Sequence, residues 1–220
     1  MRLLHLLKAA LVTAAFAVAL PISAAIIVLD FEGLPNLAAV GDFYNGGPPA
    51  GGTNYGVSFS PATLAIIDAD AGGSGNFANE PSPNTIMFFL DANNAILTLA
   101  AGFDTGFSFF YTSSVATTVT VYDGLNGTGN VLGTLVLSAQ HTDNCTGDPT
   151  GTFCNWTAVG VLFAGIAKSI DFGGTANQTG FDNITFGTDR PGNGAPEPGT
   201  LALMALGFAA LGVGARRRKA

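Results

Sequence analysis

Basic side chains are scarce in this 220-residue chain, which has 8 Lys and Arg residues against 15 Asp and Glu residues. Charged residues make up only 10% of the chain, against about 25% in an ordinary globular protein. Six of the eight basic residues lie within the first eight or the last five positions, so residues 26–195 hold two basic residues and 14 acidic ones. Nucleic-acid binding requires many Lys and Arg residues to neutralise phosphates, and the composition therefore predicts no nucleic-acid partner.

Long apolar runs are absent from the middle of the chain and confined to its two ends. At the N-terminus a short basic start is followed by the apolar residues 9–22 and by Ser23-Ala24-Ala25, which offers small residues before a cut at Ile26. This is the three-part layout of a secretory signal peptide. The apolar run is shorter than the roughly 20 residues that span a bilayer, so cleavage is favoured over an uncleaved anchor. Residues 1–25 are therefore predicted to be a signal peptide.

The C-terminal end has three features in a fixed order, after a Pro/Gly-rich linker at 191–195. Pro196, Glu197 and Pro198 come first, the uncharged apolar run 201–214 follows, and the tail is Arg216, Arg217, Arg218 and Lys219. A basic cluster stays on the cytoplasmic side of a membrane, which would leave the acidic middle outside. An ordinary C-terminal membrane anchor is the alternative interpretation.

The same order resembles the PEP-CTERM sorting signal of Gram-negative bacteria. The resemblance covers residues 196–220 and implies a transmembrane helix that holds the protein in the inner membrane before processing. It implies an exosortase as the processing partner, and a location at the cell surface or in the extracellular matrix. Proteins with this signal are commonly linked to extracellular polysaccharide and biofilm.

Residues 26–190 are predicted to form one all-β domain, because no long segment has the 3.6-residue periodicity of a helix. Short β-branched or aromatic runs recur between Gly, Asn, Asp and Pro residues, and in 117–122 Val119 and Val121 alternate with threonines. Alternation of this kind is typical of antiparallel sheets with one wet face, and it predicts a two-sheet β-sandwich, preferably a jelly roll. The predicted strands are 26–31, 56–60, 63–67, 85–90, 95–100, 106–111, 116–123, 131–138, 156–163, 167–172 and 181–186.

Residues suited to catalysis are few. Cys145 and Cys154 are the only cysteines, and an even count in an exported protein predicts a disulfide. A zinc site would need more ligands than these two cysteines and His141 provide. No Gly-x-Ser-x-Gly nucleophile motif is present, and Glu32 and Glu80 are the only glutamates of the domain. The chain is therefore predicted not to be an enzyme; the alternative is a secreted polysaccharide-active hydrolase.

Calcium is the cofactor that the acidic composition favours, because Ca²⁺ takes six to eight oxygen ligands. Asp68 and Asp70 alternate before a glycine turn, although the third acid and the distal Glu of an EF-hand are missing. Separately, the domain resembles β-sandwich ectodomains found in front of PEP-CTERM signals, through its start at 30–35, through 55–60 and the hairpin 119–133, and through its end at 180–186. Glu32 and Asp182 resemble the calcium ligands that jelly-roll carbohydrate-binding modules carry on their first and last strands. Alternatively, these acids cap turns or face water.

Sugar binding would need aromatic rings, on which the C–H faces of sugars stack. Tyr44 and Tyr55 flank one Gly/Pro-rich loop and are the candidate ligand contacts. Rings in such places also commonly cover a sheet edge. Taken together, the sequence predicts an exported, surface-sorted, non-enzymatic protein of the extracellular matrix or biofilm that binds polysaccharide.

Overall fold

The computed structural model describes residues 26–142, 145–146, 148 and 151–192. The predicted signal peptide, the Pro-Glu-Pro motif, the C-terminal apolar run and the basic tail lie outside the described residues. Among the residues that are described, no helix has both the length and the apolar character needed to cross a membrane.

The described part of the chain folds into eleven strands, and all eleven predicted strands are present with ends displaced by no more than three residues. A short 3-10 helix, Phe43–Asn45, lies in the long loop after the first strand. The strands are β1 Ile27–Leu29, β2 Val57–Phe59, β3 Leu64–Ile67, β4 Thr85–Phe88, β5 Asn94–Phe103, β6 Gly106–Ser113, β7 Thr117–Tyr122, β8 Val131–Leu137, β9 Thr157–Leu162, β10 Ala167–Gly173 and β11 Thr179–Phe186.

Two antiparallel sheets form a β-sandwich. The first has the order β3-β4-β11-β6-β9, with β1 also paired to β11, and the second has the order β2-β5-β10-β7-β8. Strand β4 pairs with β11, β5 with β10, β6 with β9 and β7 with β8. This is the pairing of one long hairpin that turns at β7–β8 and is rolled over two sheets, which is a jelly roll. The predicted fold class is confirmed.

Phenylalanine fills the space between the sheets. Phe107 and Phe109 of β6 meet Phe172 of β10 and Phe181 of β11, with ring centroids 4.9–5.8 Å apart and all four side chains fully buried. Most of these pairs have edge-to-face geometry, which aromatic rings prefer. Replacing any one of them with Ala would cost about 3–5 kcal/mol of stability.

A second, smaller apolar cluster lies on the outer face of the six-stranded sheet. Phe77 and Phe153 come from two loops and pack on Ile86 of β4, with Trp156 beside them. The indole N–H of Trp156 donates to the carbonyl oxygen of Ala78 at 3.0 Å. The predicted disulfide is confirmed, because Cys145 and Cys154 are bonded and fix the second of these loops.

Candidate functional site

Asp182 and Glu32, the two acids expected near the ends of the domain, both bind the segment that enters β4. Asp182 follows Phe181 on β11 and is fully buried. Its two carboxylate oxygens each accept a backbone N–H bond of 2.7 Å, one from Ser82 and one from Asn183. Asn183 has a φ of 47°, and the pairing with β6 shifts register there. This local bulge turns the Asp182 carboxylate toward Ser82.

Glu32 secures the same segment two residues further on. Its Oε1 accepts the backbone N–H groups of Asn84 and Thr85, both at 2.8 Å. Its Oε2 accepts the Thr85 hydroxyl at 3.3 Å. Glu32 and Asp182, which are far apart in the sequence, therefore converge on residues 82–85.

The ionisation of this acidic region is shifted by burial. Desolvation raises the pKa of Asp182 to about 8, in spite of its two N–H bonds, and the negative charge of Glu32 adds to the shift. Burial likewise raises the pKa of Glu80 to about 7, with further contributions from the charges of Asp68 and Glu32. From sequence, Glu80 was considered only for the hydrolase alternative and not for a metal site, because nothing local in the sequence shows that it lies near Asp68 and Glu32.

Asp68 and Asp70, the other two candidate calcium ligands, differ in burial. Asp68 is nearly buried and its Oδ1 accepts the Asp70 N–H at 3.4 Å, while the Asp70 residue is exposed. Burial raises the pKa of Asp68. Across the residues that the structure describes, no three His, Cys, Asp or Glu side chains are grouped so as to hold a metal ion. A calcium ion here would therefore draw most of its ligands from backbone carbonyls and water, with one or two carboxylates.

A polar pocket of about 160 Å³ lies beside Glu32. The acidic side chains of Asp30 and Glu32 line it together with both candidate tyrosines, and the remaining lining residues are Val28, Phe43, Gly51, Gly52 and Thr53. Asp30 and Glu32 flank Phe31, whose φ is 61° and whose ring is fully buried. Asp30 was not identified as a site residue from sequence, although it begins the segment 30–35 that carries part of the family resemblance.

The two tyrosines have different roles in this pocket. Tyr44 is only 3% exposed, and its hydroxyl oxygen accepts the Phe31 N–H at 2.7 Å, so its ring is part of the core and not an open stacking surface. Burial raises the pKa of Tyr44 well above its usual value, which keeps the hydroxyl protonated. Tyr55 is half-buried and stacks on Tyr44, with ring centroids 6.3 Å apart.

Gly52 also lines the pocket, and a side chain would not fit at this position. A Cβ atom at Gly52 would overlap the carbonyl oxygen and the ring of Phe43. From sequence, this Gly/Pro-rich segment is predicted only to be a long loop. In the structure, its glycines allow the backbone to lie against the 3-10 helix Phe43–Asn45.

A second, narrower groove of about 30 Å³ lies on the outer face of the six-stranded sheet. Phe77, Phe88 and Phe153 line it, and Thr112, whose buried hydroxyl has no hydrogen-bond partner, also contributes. The groove has room for little more than one water molecule, which is the simplest partner for that hydroxyl.

Comparison with known proteins gives one match in sequence and several in structure. Residues 195–219 match the PEP-CTERM protein-sorting motif. No curated protein sequence matches the chain significantly.

The structural neighbours are distant. CsCBM6-3 from Clostridium stercorarium, solved in complex with cellobiose, is 19% identical, with 59% of this chain and 85% of that chain covered and a TM-score of 0.37. TmCBM61, solved with β-1,4-galactotriose, is 14% identical, with 70% and 97% covered and a TM-score of 0.37. A glycoside hydrolase family 43 arabinoxylan arabinofuranohydrolase from Bacillus subtilis is 19% identical, with 60% and 26% covered and a TM-score of 0.40.

Likenesses at this level carry no argument about this chain, and the jelly-roll assignment rests on its own strand pairings. The sequence match is specific to the last part of the chain and agrees with the order of Pro-Glu-Pro, apolar run and basic tail. The chain carries a PEP-CTERM sorting motif at residues 195–219, and this motif indicates a protein that is exported and sorted at the cell surface.

Proposed function

We propose that this protein is a non-enzymatic component of the extracellular matrix or biofilm, and that its β-sandwich binds polysaccharide in the pocket beside Tyr55. The observation that carries the proposal is the pocket itself, in which Asp30, Glu32 and the half-buried ring of Tyr55 meet. Exosortase is the processing partner that the sorting motif implies.

The chemistry of the pocket favours a neutral sugar. Carboxylates such as those of Asp30 and Glu32 accept hydrogen bonds from sugar hydroxyls, and an aromatic wall packs against sugar C–H groups. A uronic acid or a sulfated sugar would be repelled by the net charge of −12 of residues 26–195. The volume of about 160 Å³ is below the roughly 300–1,000 Å³ of pockets that enclose a drug-sized ligand. The site would therefore hold a chain end or a branch sugar of the polysaccharide.

Calcium remains part of the proposal as a structural ion beside Glu32. The donor atoms here are all oxygens, as Ca²⁺ requires. Oε1 of Glu32 is occupied by two N–H bonds, but Oε2 has only the longer bond to Thr85, and Asp30 lines the same pocket. The ion would reduce the electrostatic repulsion between Glu32 and the acids near it. It would also favour the ionised form of Asp182 without contacting that residue.

The hydrolase alternative has one supporting observation, the raised pKa of Glu80 in the electrostatic neighbourhood of Glu32. A glycosidase needs two carboxylates on opposite sides of one bound sugar. Glu32 lines the polar pocket, whereas Glu80 is not among its lining residues. Binding is therefore the function that the geometry supports better.

The test is retention of the purified, exported protein on the neutral exopolysaccharide of its host. Tyr55→Ala should weaken retention by about tenfold or more, because it removes the aromatic wall. Tyr122→Ala is the matched control, since Tyr122 is also half-buried but lies on β7, away from the pocket. Equal retention of the two variants would refute the assignment of the site. Release of reducing sugar that Glu32→Gln and Glu80→Gln both abolish would establish the hydrolase instead.

A further inference from the structure

The outer face of the six-stranded sheet has a gap where Gly180 carries no side chain. Gly180 of β11 lies between its register partners on the two neighbouring strands, Thr112 of β6 and Phe88 of β4. Because partners in register point to the same face of a sheet, the missing Cβ atom leaves a notch between their side chains. This notch belongs to the groove of about 30 Å³ on that face, which we call the outer groove, and all three residues line it.

The outer groove contains one polar atom that has no partner. Thr112 is only 1% exposed, and its buried hydroxyl makes no hydrogen bond to the protein. Most buried polar groups in native proteins are paired, because an unpaired one is costly. A water molecule can serve this hydroxyl in the free protein, and a ligand group that reproduces the same hydrogen bond can displace that water. The groove therefore favours a ligand that brings one hydrogen-bonding atom to Thr112.

Two loops hold the apolar walls of the outer groove in place. Phe77 and Phe153 are joined by a β-bridge, and the Phe153 N–H donates to the carbonyl oxygen of Asn76 at 3.1 Å. The disulfide of Cys154 fixes the second loop directly beside Phe153. Asn76 and Asn177, which are both exposed, also line the groove, and none of its described lining residues is charged. The groove is therefore preorganised, apolar inside and bordered by neutral amides.

The size and polarity of the outer groove select the chemical group that fits it. Its volume of about 30 Å³ exceeds the roughly 10–15 Å³ that one water molecule needs, so it admits a small substituent but not a sugar ring. A carboxylate, sulfate or ammonium group would lose its hydration there without an opposite charge. A bare methyl group would leave Thr112 unpaired. An acetamido group combines a methyl group for the phenylalanine walls, a carbonyl acceptor for the hydroxyl and an N–H donor for the asparagine amides.

We propose that the outer groove binds the acetamido group of an N-acetylated sugar. The methyl group enters between Phe77 and Phe153, the carbonyl oxygen accepts the Thr112 hydroxyl, and the sugar ring stays outside the groove. The outer groove shares no lining residue with the polar pocket beside Tyr55. It is therefore a second site, which stands whether or not the polar pocket binds polysaccharide.

Binding of triacetylchitotriose to the full-length exported protein tests the site, with the fluorescence of Trp156 and titration calorimetry as readouts. Trp156 is the only tryptophan of the chain, and its ring would lie 3.4 Å from a Cβ atom at Gly180. Cellotriose is the matched ligand, since it is also neutral and has a hydroxyl group in place of each acetamido group. We expect triacetylchitotriose to change the Trp156 emission at concentrations at which cellotriose does not.

Three variants assign the binding to the outer groove. Thr112→Val removes the hydroxyl at nearly constant volume and should raise the Kd by about fivefold, the effect of losing one neutral hydrogen bond. It should not lower the melting temperature, because the hydroxyl has no protein partner to lose. Ser108→Ala is the matched control, since it removes another buried, unpaired hydroxyl of β6 that does not line the groove. Gly180→Ala should prevent binding, because its Cβ atom would come within 2.8 Å of the Ile86 side chain and fill the notch. Thr112→Val decides the test by itself if Gly180→Ala does not fold.

The outcomes separate this site from the polar pocket. Equal affinity for the two trisaccharides, no binding of either, or equal effects of Thr112→Val and Ser108→Ala would overturn the proposal. Loss of triacetylchitotriose binding in Tyr55→Ala but not in Thr112→Val would also overturn it and would leave the polar pocket as the sugar site. If Thr112→Val weakens binding of triacetylchitotriose while Tyr55→Ala leaves retention on the host exopolysaccharide unchanged, the outer groove is supported and the polar pocket is refuted.

Discussion

At the scale of single residues, Asp182 has an environment that departs strongly from that of a free side chain. It is fully buried, its two oxygens accept backbone N–H bonds, and its charged neighbour Glu32 has the same sign. The N–H bonds favour the carboxylate, but the loss of water outweighs them and favours the acid. In the absence of a cation, Asp182 therefore titrates near neutral pH.

The raised pKa of Asp182 predicts stability that falls as the pH rises. Between the ordinary aspartate pKa of 3.8 and about 8, the folded protein binds a proton that the unfolded chain has released, so the free energy of unfolding decreases with pH. In EGTA, urea denaturation should show a loss of at least about 1 kcal/mol between pH 5 and pH 8. Glu80 acts in the same direction, because its pKa is raised to about 7.

Asp182→Asn tests how much Asp182 contributes to the pH dependence of the free energy of unfolding. The variant should be less stable than the wild type at pH 5, since its amide NH₂ must face a backbone N–H donor. Its stability should nevertheless depend less on pH, because the titrating group is gone. A pH dependence equal to that of the wild type would show that Asp182 does not titrate in this range.

At the scale of elements, the connection between β7 and β8 folds back over the outer face of the five-stranded sheet. Ser169 of β10 holds it there: the Ser169 hydroxyl accepts the Gly127 N–H at 2.9 Å and donates to the Gly124 carbonyl oxygen at 2.6 Å. Thr98 of β5 adds a bond to the Asn126 side chain at 3.2 Å. One fully buried hydroxyl thus fixes both sides of the turn.

Ser169→Ala should release this connection without changing the core. It leaves a backbone donor and an acceptor unsatisfied, at a cost of about 1–3 kcal/mol. Hydrogen exchange should become faster in residues 124–130 and unchanged in β6 and β11. Thr157→Ala on β9 is the control, since Thr157 is half-buried and lies in the other sheet. Unchanged protection at Gly127 would contradict the prediction.

The disulfide between Cys145 and Cys154 constrains the loop that packs on the outer face of the six-stranded sheet. Replacing both Cys145 and Cys154 with Ser should lower the free energy of unfolding by about 2–3 kcal/mol, the chain-entropy value for a loop of this length. Urea denaturation of the variant and of the reduced wild type should agree. If both unfold at the wild-type midpoint, the loop contributes nothing to the stability of the sandwich.

Sequence predicted the elements much better than their partners. Period-two alternation and turn residues are local signals, so all eleven strands could be located. The pairing of β4 with β11 joins residues about a hundred positions apart, and nothing local specifies it. The site shows the same limit: a family resemblance suggested Glu32 and Asp182 as calcium ligands, whereas their convergence on residues 82–85, the contributions of Asp30 and Glu80 and the burial of Tyr44 arise only from tertiary packing.

At the scale of the whole molecule, the imbalance of 14 acidic and two basic residues in 26–195 determines the response to ions. Like charges on one compact domain repel, so any salt should stabilise the fold by screening, with an effect that grows with ionic strength. A bound calcium ion would stabilise it differently, by mass action at a specific site and at concentrations that hardly change ionic strength.

The two effects can be separated by thermal melts of the exported protein. We expect CaCl₂ at about 1 mM to raise the melting temperature by several degrees, because a ligand at 100 times its Kd adds about 2.7 kcal/mol. MgCl₂ at the same concentration is the matched control, since its smaller ion demands a stricter octahedral geometry. Asp30→Asn should reduce the calcium response and leave the response to NaCl intact. If CaCl₂, MgCl₂ and NaCl act equally at equal ionic strength, the acidic region responds through screening alone and the proposed calcium site is refuted.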